Sequence, residues 1–310
     1  MDSQILVAAS YDLQITASEI PLVDGYNPPP PQKFNLTGSQ ANRIIPISTT
    51  KFAVATNPMI LIYDRTSKNQ KPFTFQGHQT NVLDLCLNSD GSRLYSCSED
   101  KSWRVWDFSR NRAIAFYTTN SSINTLALLS NNLIILGNDA GIVNICQLSD
   151  GSVISSTPLF DFPVRSIAVI RSSDSSDLNQ HDTAFIGGRD GLLIVADINV
   201  KDGKLTVRSR IQAHNKVLTR VTISPNNQYF ATTSEDSTCK VWSVETLQPV
   251  CEPLSGDSSK WMWDAVFMAD NKKIITAGSD KICRVWDFMS GKIVKTVELH
   301  QKGITCIAVL

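Results

Sequence analysis

Short apolar runs alternate with clusters of asparagine, aspartate, serine and glycine along the whole chain. The segments Val82 to Leu87, Leu94 to Ser98 and Trp103 to Asp107 are typical, because each is short, rich in strand-favouring residues and bounded by turn formers. No segment repeats its apolar residues with the period of a helix. The pattern therefore predicts an all-β protein.

The strand-like runs recur in units marked by a histidine, an aspartate and a tryptophan. In the clearest unit, His78 lies 28 residues before Trp106 and Asp100 lies six before it. A second unit has the same spacings and a third keeps only the last two residues: His214, Asp236 and Trp242, then Asp280 and Trp286.

Weaker copies of this template fill the rest of the chain. They are Asp12 to Ser18, Asn57 to Tyr63, Ala140 to Cys146 and Asp190 to Ala196. Successive tryptophan-equivalent positions are 40 to 50 residues apart, so seven units tile residues 1–310. A period of this size with strand-like runs predicts one domain, a seven-bladed WD-repeat β-propeller.

The first and last runs of the chain complement each other. The first unit opens on a second-strand run, Ile5 to Ser10, without an inner strand, and the chain ends on an unpaired inner-strand run, Gly303 to Leu310. Pairing the C-terminal strand with the N-terminal blade would close the ring and remove two open sheet edges. We expect this closure.

Within a unit, we expect a buried hydrogen-bonded network that holds the blade. The aspartate would cap the turn between the second and third strands, while histidine and serine would link it to the indole nitrogen. The assigned residues are His78, Ser98, Asp100, Trp106, His214, Ser234, Asp236, Trp242, Asp280 and Trp286. A catalytic or metal-binding role for the two histidines is disfavoured, because they lie in different blades with no second histidine at ligand spacing.

Composition indicates the class of partner, the state of the cysteines and the location of the protein. Lysine plus arginine equals aspartate plus glutamate at 29 each, so no positive field attracts nucleic acid or anionic lipid, and we expect a protein partner. Seven cysteines without a Cys-x-x-Cys pair are typical of reduced, buried thiols. The acidic start and the lack of a long apolar run predict a cytoplasmic protein that meets endomembranes only through its complex.

One face of the propeller is expected to carry the partner site. The segment Lys260-Trp261-Met262-Trp263-Asp264 opens the inner strand of the seventh blade, with two tryptophans on one side of a strand. Tryptophans at a rim are favoured anchors for a protein partner, although these two could instead wall the channel. Aligned positions in other blades add a polar ring, namely Asn81, Asp84, Lys216, Val217, Arg220 and Lys302, with Asn124 and Arg165 by looser analogy.

The opposite face is expected to carry the insertions. The proline run Pro28 to Pro31 falls between the third and fourth strands of the first blade, and the polar segment Ser172 to Asp182 falls between the first and second strands of the fifth. We expect the first to be a stiff loop and the second to be mobile.

In four places the sequence resembles the G-protein-beta-like WD-repeat subunit of the TOR kinase complexes. These are Ile5 to Asp12, Ala213 to Lys216 leading to Thr219 to Val221, Trp261 to Asp264, and His300 to Cys306. The tryptophan pair followed by aspartate is the most specific, because generic repeats do not require it. Three departures indicate a divergent member. Units one, two, four and five have lost signature residues, Val217 is aliphatic where the family usually has an aromatic residue, and Gly256-Asp257 stands in place of glycine-histidine.

The resemblance implies a function. A member of this family would dock on the catalytic domain of a TOR-type protein kinase without doing chemistry, and would meet the other TOR-complex subunits. The contact would contain Trp261, Trp263 and Asp264, with Lys216, Arg220 and Lys302 nearby.

Other classes of function use the same fold. A ubiquitin-ligase substrate receptor, a ribosome-associated scaffold or a heterotrimeric G-protein beta subunit stays open, although the chain shows no coiled-coil segment before the first blade and no adaptor-binding segment. An enzyme would need catalytic groups that converge in the channel. The inner-strand carboxylates Asp84 and Asp264 lie in blades three and seven and are expected to be far apart, while a structural role is expected for His300. With no phosphate loop and no zinc or calcium spacing, we expect no catalysis, cofactor, metal or small-molecule substrate.

Overall fold

The computed structural model describes residues 3–21, 28–36, 38–67, 71–172, 181–256 and 259–310. In these ranges the chain forms seven antiparallel sheets of four strands each, which confirms the predicted seven-bladed propeller. Among the described residues there is no helix long and apolar enough to cross a membrane.

The strands are numbered in chain order, and each blade is given from its inner to its outer strand. They are: blade one, β28 (Ile304–Val309), β1 (Ser3–Ser10), β2 (Gln14–Pro21) and β3 (Gln32–Asn35); blade two, β4 (Arg43–Pro46), β5 (Lys51–Ala55), β6 (Ile60–Asp64) and β7 (Phe73–Phe75); blade three, β8 (Val82–Leu87), β9 (Arg93–Ser98), β10 (Ser102–Asp107) and β11 (Arg112–Thr118); blade four, β12 (Ile123–Leu128), β13 (Leu133–Asn138), β14 (Ile142–Gln147) and β15 (Val153–Pro158); blade five, β16 (Val164–Ile170), β17 (His181–Gly188), β18 (Leu192–Asn199) and β19 (Leu205–Gln212); blade six, β20 (Leu218–Ile223), β21 (Tyr229–Ser234), β22 (Thr238–Ser243) and β23 (Leu254–Ser255); blade seven, β24 (Met262–Phe267), β25 (Lys273–Gly278), β26 (Ile282–Asp287) and β27 (Lys292–Glu298).

The last strand closes the ring, as predicted. β28 pairs with β1 in antiparallel register, with Leu6 opposite Val309 and Ala9 opposite Cys306. Each inner strand also lies beside the inner strands of the neighbouring blades, so the seven of them surround a central channel. Because β1 is thereby paired on both sides, its backbone groups leave no open edge at this point.

The core lies between the blades. Each second strand is buried almost throughout, as in β13, where every residue is buried, whereas outer strands such as β15 and β19 have only exposed and half-buried residues. The cluster between blades six and seven is typical, because Val241 and Leu254 of one blade pack with Ile274 and Trp286 of the next. Apolar burial between sheets therefore holds each blade to its neighbours.

The loops fall where the sequence places them. Pro28 to Pro31 precede β3, in the connection between the third and fourth strands of blade one. The polar insertion joins β16 to β17, and its residues 173–180 lie outside the described part of the chain. The turns between second and third strands lie at the same end of the blades as the links into the inner strands, because Glu99 in such a turn bonds through its backbone N–H to Asn81 in such a link. We call this end the upper face.

Candidate functional site

Blade three contains the predicted network, with one change in its members. His78 Nδ1 lies 2.8 Å from Asp100 Oδ2, and His78 Nε2 lies 2.7 Å from Ser96 Oγ. The Trp106 indole N–H donates to the same Ser96 Oγ at 2.8 Å. Because the Asp100 carboxylate can only accept, His78 donates to it from Nδ1, and Nε2 of the neutral ring accepts from the Ser96 hydroxyl. The chain from aspartate to indole thus runs through Ser96, and not through Ser98.

Blade six repeats this arrangement with a threonine. His214 Nδ1 lies 2.9 Å from Asp236 Oδ2, and both His214 Nε2 and the Trp242 indole N–H meet Thr232 Oγ1, at 2.8 and 3.0 Å. Ser98 and Ser234 instead accept the backbone N–H groups of Asp100 and Asp236, at 3.1 and 3.0 Å. They shape the turn, so their predicted role as the link to the indole is corrected. The signal for the true link is a hydroxyl residue ten positions before the tryptophan, which also holds for Thr276 and Trp286.

Blades seven and one keep parts of the network. In blade seven, Asp280 pairs with the Arg284 guanidinium. In blade one, His300 Nδ1 lies 3.4 Å from Asp12 Oδ2, and its Nε2 donates to the Ala8 carbonyl at 3.1 Å. His300 therefore ties the link before β28 to β1 and to the turn that follows β1, which gives it a structural position at the ring closure.

Removing the hydroxyl that joins histidine to tryptophan should lower the free energy of unfolding more than removing the hydroxyl that accepts a turn N–H. Thr232→Val leaves the Trp242 indole N–H buried without its acceptor, and we expect a loss of about 1–3 kcal/mol in the free energy of unfolding. Ser234→Ala removes one bond to a turn N–H and should cost about 1 kcal/mol. Urea unfolding of the two variants measures the difference, and equal losses would restore the sequence-based assignment.

Burial and hydrogen bonding shift the pKa values of these groups in a consistent direction. Burial lowers the pKa of His78 and of His300 below the usual 6.5, although the neighbouring aspartates oppose it. Burial alone would raise the pKa of Asp100 and Asp236, but hydrogen bonds from Ser102 to the first and from His214 to the second, with others, hold both below the usual 3.8.

These shifts predict an acid-labile fold. A histidine with a lowered pKa takes up its proton more readily when unfolded, so stability should fall as the pH drops below about 6.5. An aspartate with a lowered pKa stabilises the fold above about pH 3.8, and that contribution is lost as the pH falls further. Urea unfolding at pH 8, 6, 5 and 4 should therefore give a steadily decreasing free energy of unfolding. An increase between pH 7 and pH 5 would contradict the assigned burial of the histidines.

The inner strands carry an irregularity that points side chains into the channel. The pairing of β8, β12, β16, β20 and β24 with their second strands shifts register at the second residue of each strand. Such bulges re-aim the local side chains. The bulged residues are Leu83, Asn124, Arg165, Thr219 and Trp263, and the residues after them are Asp84, Thr125, Ser166, Arg220 and Asp264.

Four of the channel residues form an ion-pair network. Arg43 lies 3.3 Å from Asp84 and 3.6 Å from Asp264, and Arg220 lies 3.7 Å from each of the two carboxylates. Asp84 and Asp264 are therefore not far apart, contrary to the expectation from their blades. The two long arginine side chains bridge the channel, so that carboxylates of blades three and seven share both cations.

Each carboxylate also joins two blades. Asp84 Oδ2 accepts from Thr125 Oγ1 at 2.8 Å, and Asp264 Oδ2 accepts from the Ile307 N–H at 3.0 Å. Both side chains are buried, so their oxygens are used inside the channel and not on the partner surface to which the sequence assigned them. Among the described residues no group of three or more histidines, cysteines or acids is arranged to hold a metal ion.

The two tryptophans lie in different environments, one at the protein surface and one in the wall of the channel. Trp261 is 44% exposed, while Trp263 is half-buried and donates its indole N–H to Ser279 Oγ at 2.9 Å. Their rings meet edge to face with centroids 5.4 Å apart. Trp261 lies on the upper face, and Trp263 lines the channel mouth beneath it, so one of the two walls the channel while the other is open to solvent.

The other predicted partner residues surround this pair at different depths. Lys216, Lys260 and Lys302 are exposed in the links into blades six, seven and one. Val217 and Asn81 are half-buried, and Asn81 Nδ2 donates to Glu99 Oε2 at 2.9 Å. Arg220 lies deeper, in the channel network described above.

Two exposed apolar residues of the first blade were not predicted. Tyr11 and Leu13 are 39% and 37% exposed in the turn between β1 and β2, and the Tyr11 N–H donates to Gly303 in the link into β28. Blades one and seven are neighbours in the ring. We call Tyr11, Leu13 and Trp261 the aromatic patch. Its first member lies in the segment Ile5 to Asp12, which carries part of the family resemblance.

The repeats and the fold are similar to those of known proteins. The model of the family "WD domain, G-beta repeat" matches residues 69–107, 205–243 and 248–287. Each match runs from the outer strand of one blade through the first three strands of the next, ending in blades three, six and seven. The computationally designed Ika8 protein has a similar fold, with a TM-score of 0.66, 15% sequence identity and coverage of 99% of this chain and 90% of that one.

Similar sequences carry more specific names. The chain is 32% identical over 276 residues to the target of rapamycin complex subunit wat1 of Schizosaccharomyces pombe, across 87% of this chain and 85% of that protein. It is 29% identical over 282 residues to the target of rapamycin complex subunit LST8 of Bos taurus, with the same coverage. It is also 29% identical over 260 residues to subunit LST8-1 of Arabidopsis thaliana, across 78% of each chain.

Proposed function

Because this chain belongs to the family of WD-repeat proteins that includes wat1 and LST8, we propose that it is a non-catalytic subunit of a target of rapamycin complex. In this proposal it binds and stabilises the catalytic domain of a TOR-type kinase, in the cytoplasm, beside the other subunits of the complex.

The observation that carries the proposal is the exposed Trp261 on the upper face. A tryptophan that is 44% exposed leaves apolar surface in water, which a partner would bury. Trp263 packs edge to face against it, so the ring is held in place before binding. A pre-ordered aromatic anchor of this kind suits a stable protein interface.

The surroundings of the anchor also suit an interface. Tyr11 and Leu13 extend the apolar surface toward blade one, and Lys260 and Lys302 provide charged groups at its margin. Interfaces commonly combine a central aromatic contact with a polar rim. The proposed docking surface is therefore the aromatic patch with its neighbouring lysines.

The channel supports a scaffold more than an enzyme. A catalytic carboxylate needs access to a substrate, but Asp84 and Asp264 are buried and held by Arg43 and Arg220. His78 and His214 are committed to their blade networks. The groups that could do acid–base chemistry therefore serve the fold.

Affinity purification of the tagged protein from its own cells, followed by mass spectrometry, tests this function. We expect a large TOR-type kinase in near-stoichiometric amount at near-physiological salt. Recovery of ubiquitin-ligase adaptors or ribosomes without such a kinase would overturn the proposal and favour a scaffold of another class.

A further inference from the structure

The mouth of the channel contains a cavity beside the proposed interface, with which it shares Tyr11 and Trp263. Its volume is about 280 Å³, close to the lower limit for small-molecule sites. Side chains of all seven blades contribute to its wall, among them Asn42, Asn124, Arg43, Arg165, Arg220 and Trp263. The wall is polar, apart from Trp263 and a few small apolar groups.

The side chains that line this cavity include more guanidinium groups than carboxylates. Three guanidinium groups, those of Arg43, Arg165 and Arg220, face two carboxylates, those of Asp84 and Asp264. The first and third arginines share both carboxylates. Among the described residues the Arg165 side chain forms no direct ion pair or hydrogen bond, although the charges of Glu235, Asp139 and Arg189 act on it at longer range. Its guanidinium N–H groups are therefore available at the mouth.

Arg43 and Arg220, which pair with the two carboxylates, still have unfavourable surroundings for their hydrogen bonding or charge. Arg43 Nε is buried and has no hydrogen bond of good geometry within the described residues, although Asp84 lies 3.3 Å away. Burial, and then the nearby Arg43 charge, lower the pKa of Arg220. Additional negative charge in the cavity would relieve both effects.

Several other polar side chains of the cavity wall already donate their hydrogen bonds within the protein. Asn42 and Asn124 donate their amide N–H groups to the carbonyls of Val82 and Val164 in the next blade, at 2.8 and 3.0 Å. Thr219 likewise donates to the Met262 carbonyl at 2.7 Å. Because these donors are committed between blades, the donor available to a ligand is the guanidinium of Arg165.

We propose that the channel mouth binds a small oxyanion, an organic phosphate or carboxylate, through Arg165 with the Arg43 and Arg220 pair beneath it. A guanidinium matches either group with two parallel hydrogen bonds. The wall of Trp263 would contact the less polar part of the ligand. This site does not depend on membership of a kinase complex, since it lies within the isolated propeller.

Calorimetric titration of the purified protein tests the site, with inorganic phosphate and acetate as separate probes at constant ionic strength. We expect saturable binding of at least one of them, and the stronger of the two identifies the class of ligand. Arg165→Gln should weaken that binding by about tenfold or more, and Arg165→Lys should weaken it less, because charge is kept while the forked geometry is lost.

Lys101→Gln provides the control, because Lys101 is exposed in the turn after β9 on the same face and does not line the cavity. It removes the same charge from the same face, and we expect a change within about twofold. Absence of saturable binding by both probes would overturn the proposal. So would equal losses in Arg165→Gln and Lys101→Gln, which would indicate a general surface field. Thermal midpoints without added anion establish that both variants fold.

Discussion

Trp242→Ala is expected to lower the free energy of unfolding by about 3–5 kcal/mol, a large part of the stability of a typical domain. The side chain is only 5% exposed, and its ring stacks on Phe230 with centroids 6.0 Å apart. The substitution leaves a cavity in the core between blades five and six, where Trp242 belongs to a cluster with Phe185 and Leu193, and it also removes the donor to Thr232 Oγ1. Urea unfolding followed by circular dichroism measures the loss.

Two comparison variants separate the packing of Trp242 from its hydrogen bond. Trp242→Phe keeps much of the ring but removes the indole N–H, so we expect a smaller loss, about 1–3 kcal/mol. Met289→Ala changes a side chain that is 59% exposed and should stay within about 0.5 kcal/mol of the parent protein. If Trp242→Ala were as stable as Met289→Ala, the tryptophan would not hold its blade.

The fold was predictable because the blade is a repeated physical unit. Strong signatures in three units set the period, and short apolar runs at the same period identified the other four. Cys146 and Ala196 replace the tryptophan in blades four and five, yet the burial there is maintained by residues such as Ile135 and Ile186. Apolar strands at the right spacing are therefore sufficient for a blade, even where the hydrogen-bonded network is lost.

The channel was harder to predict, because position in a blade does not give distance across the ring. Asp84 and Asp264 lie in non-adjacent blades, and only the reach of Arg43 and Arg220 brings them into one network. The bulge in each inner strand also decides which residue enters the channel, and its position depends on pairing with the second strand. The aromatic side chain of Tyr11 is typical of a strand end, and only its exposure in the folded chain marks it as surface.

Trp261→Ala is expected to reduce capture of the proposed kinase partner by at least about thirtyfold while the propeller stays folded. The side chain is largely outside the core, so its removal leaves no buried cavity, but the partner loses its aromatic anchor. Adding Trp263→Ala should abolish capture. That second change also removes packing and the bond to Ser279, so a modest loss of stability is expected with it. Co-purification with the tagged variants measures the effect.

Phe162→Ala is the matched control, since Phe162 is a 53% exposed aromatic residue on the same face, in the link into blade five. Its loss removes similar apolar surface at a distance from the aromatic patch, so kinase capture should be unchanged. Equal losses in both variants would mean that the partner covers the whole upper face without a central anchor. Normal capture by Trp261→Ala, with its thermal midpoint unaltered, would exclude the aromatic patch as the docking surface and leave the partner site elsewhere on the ring.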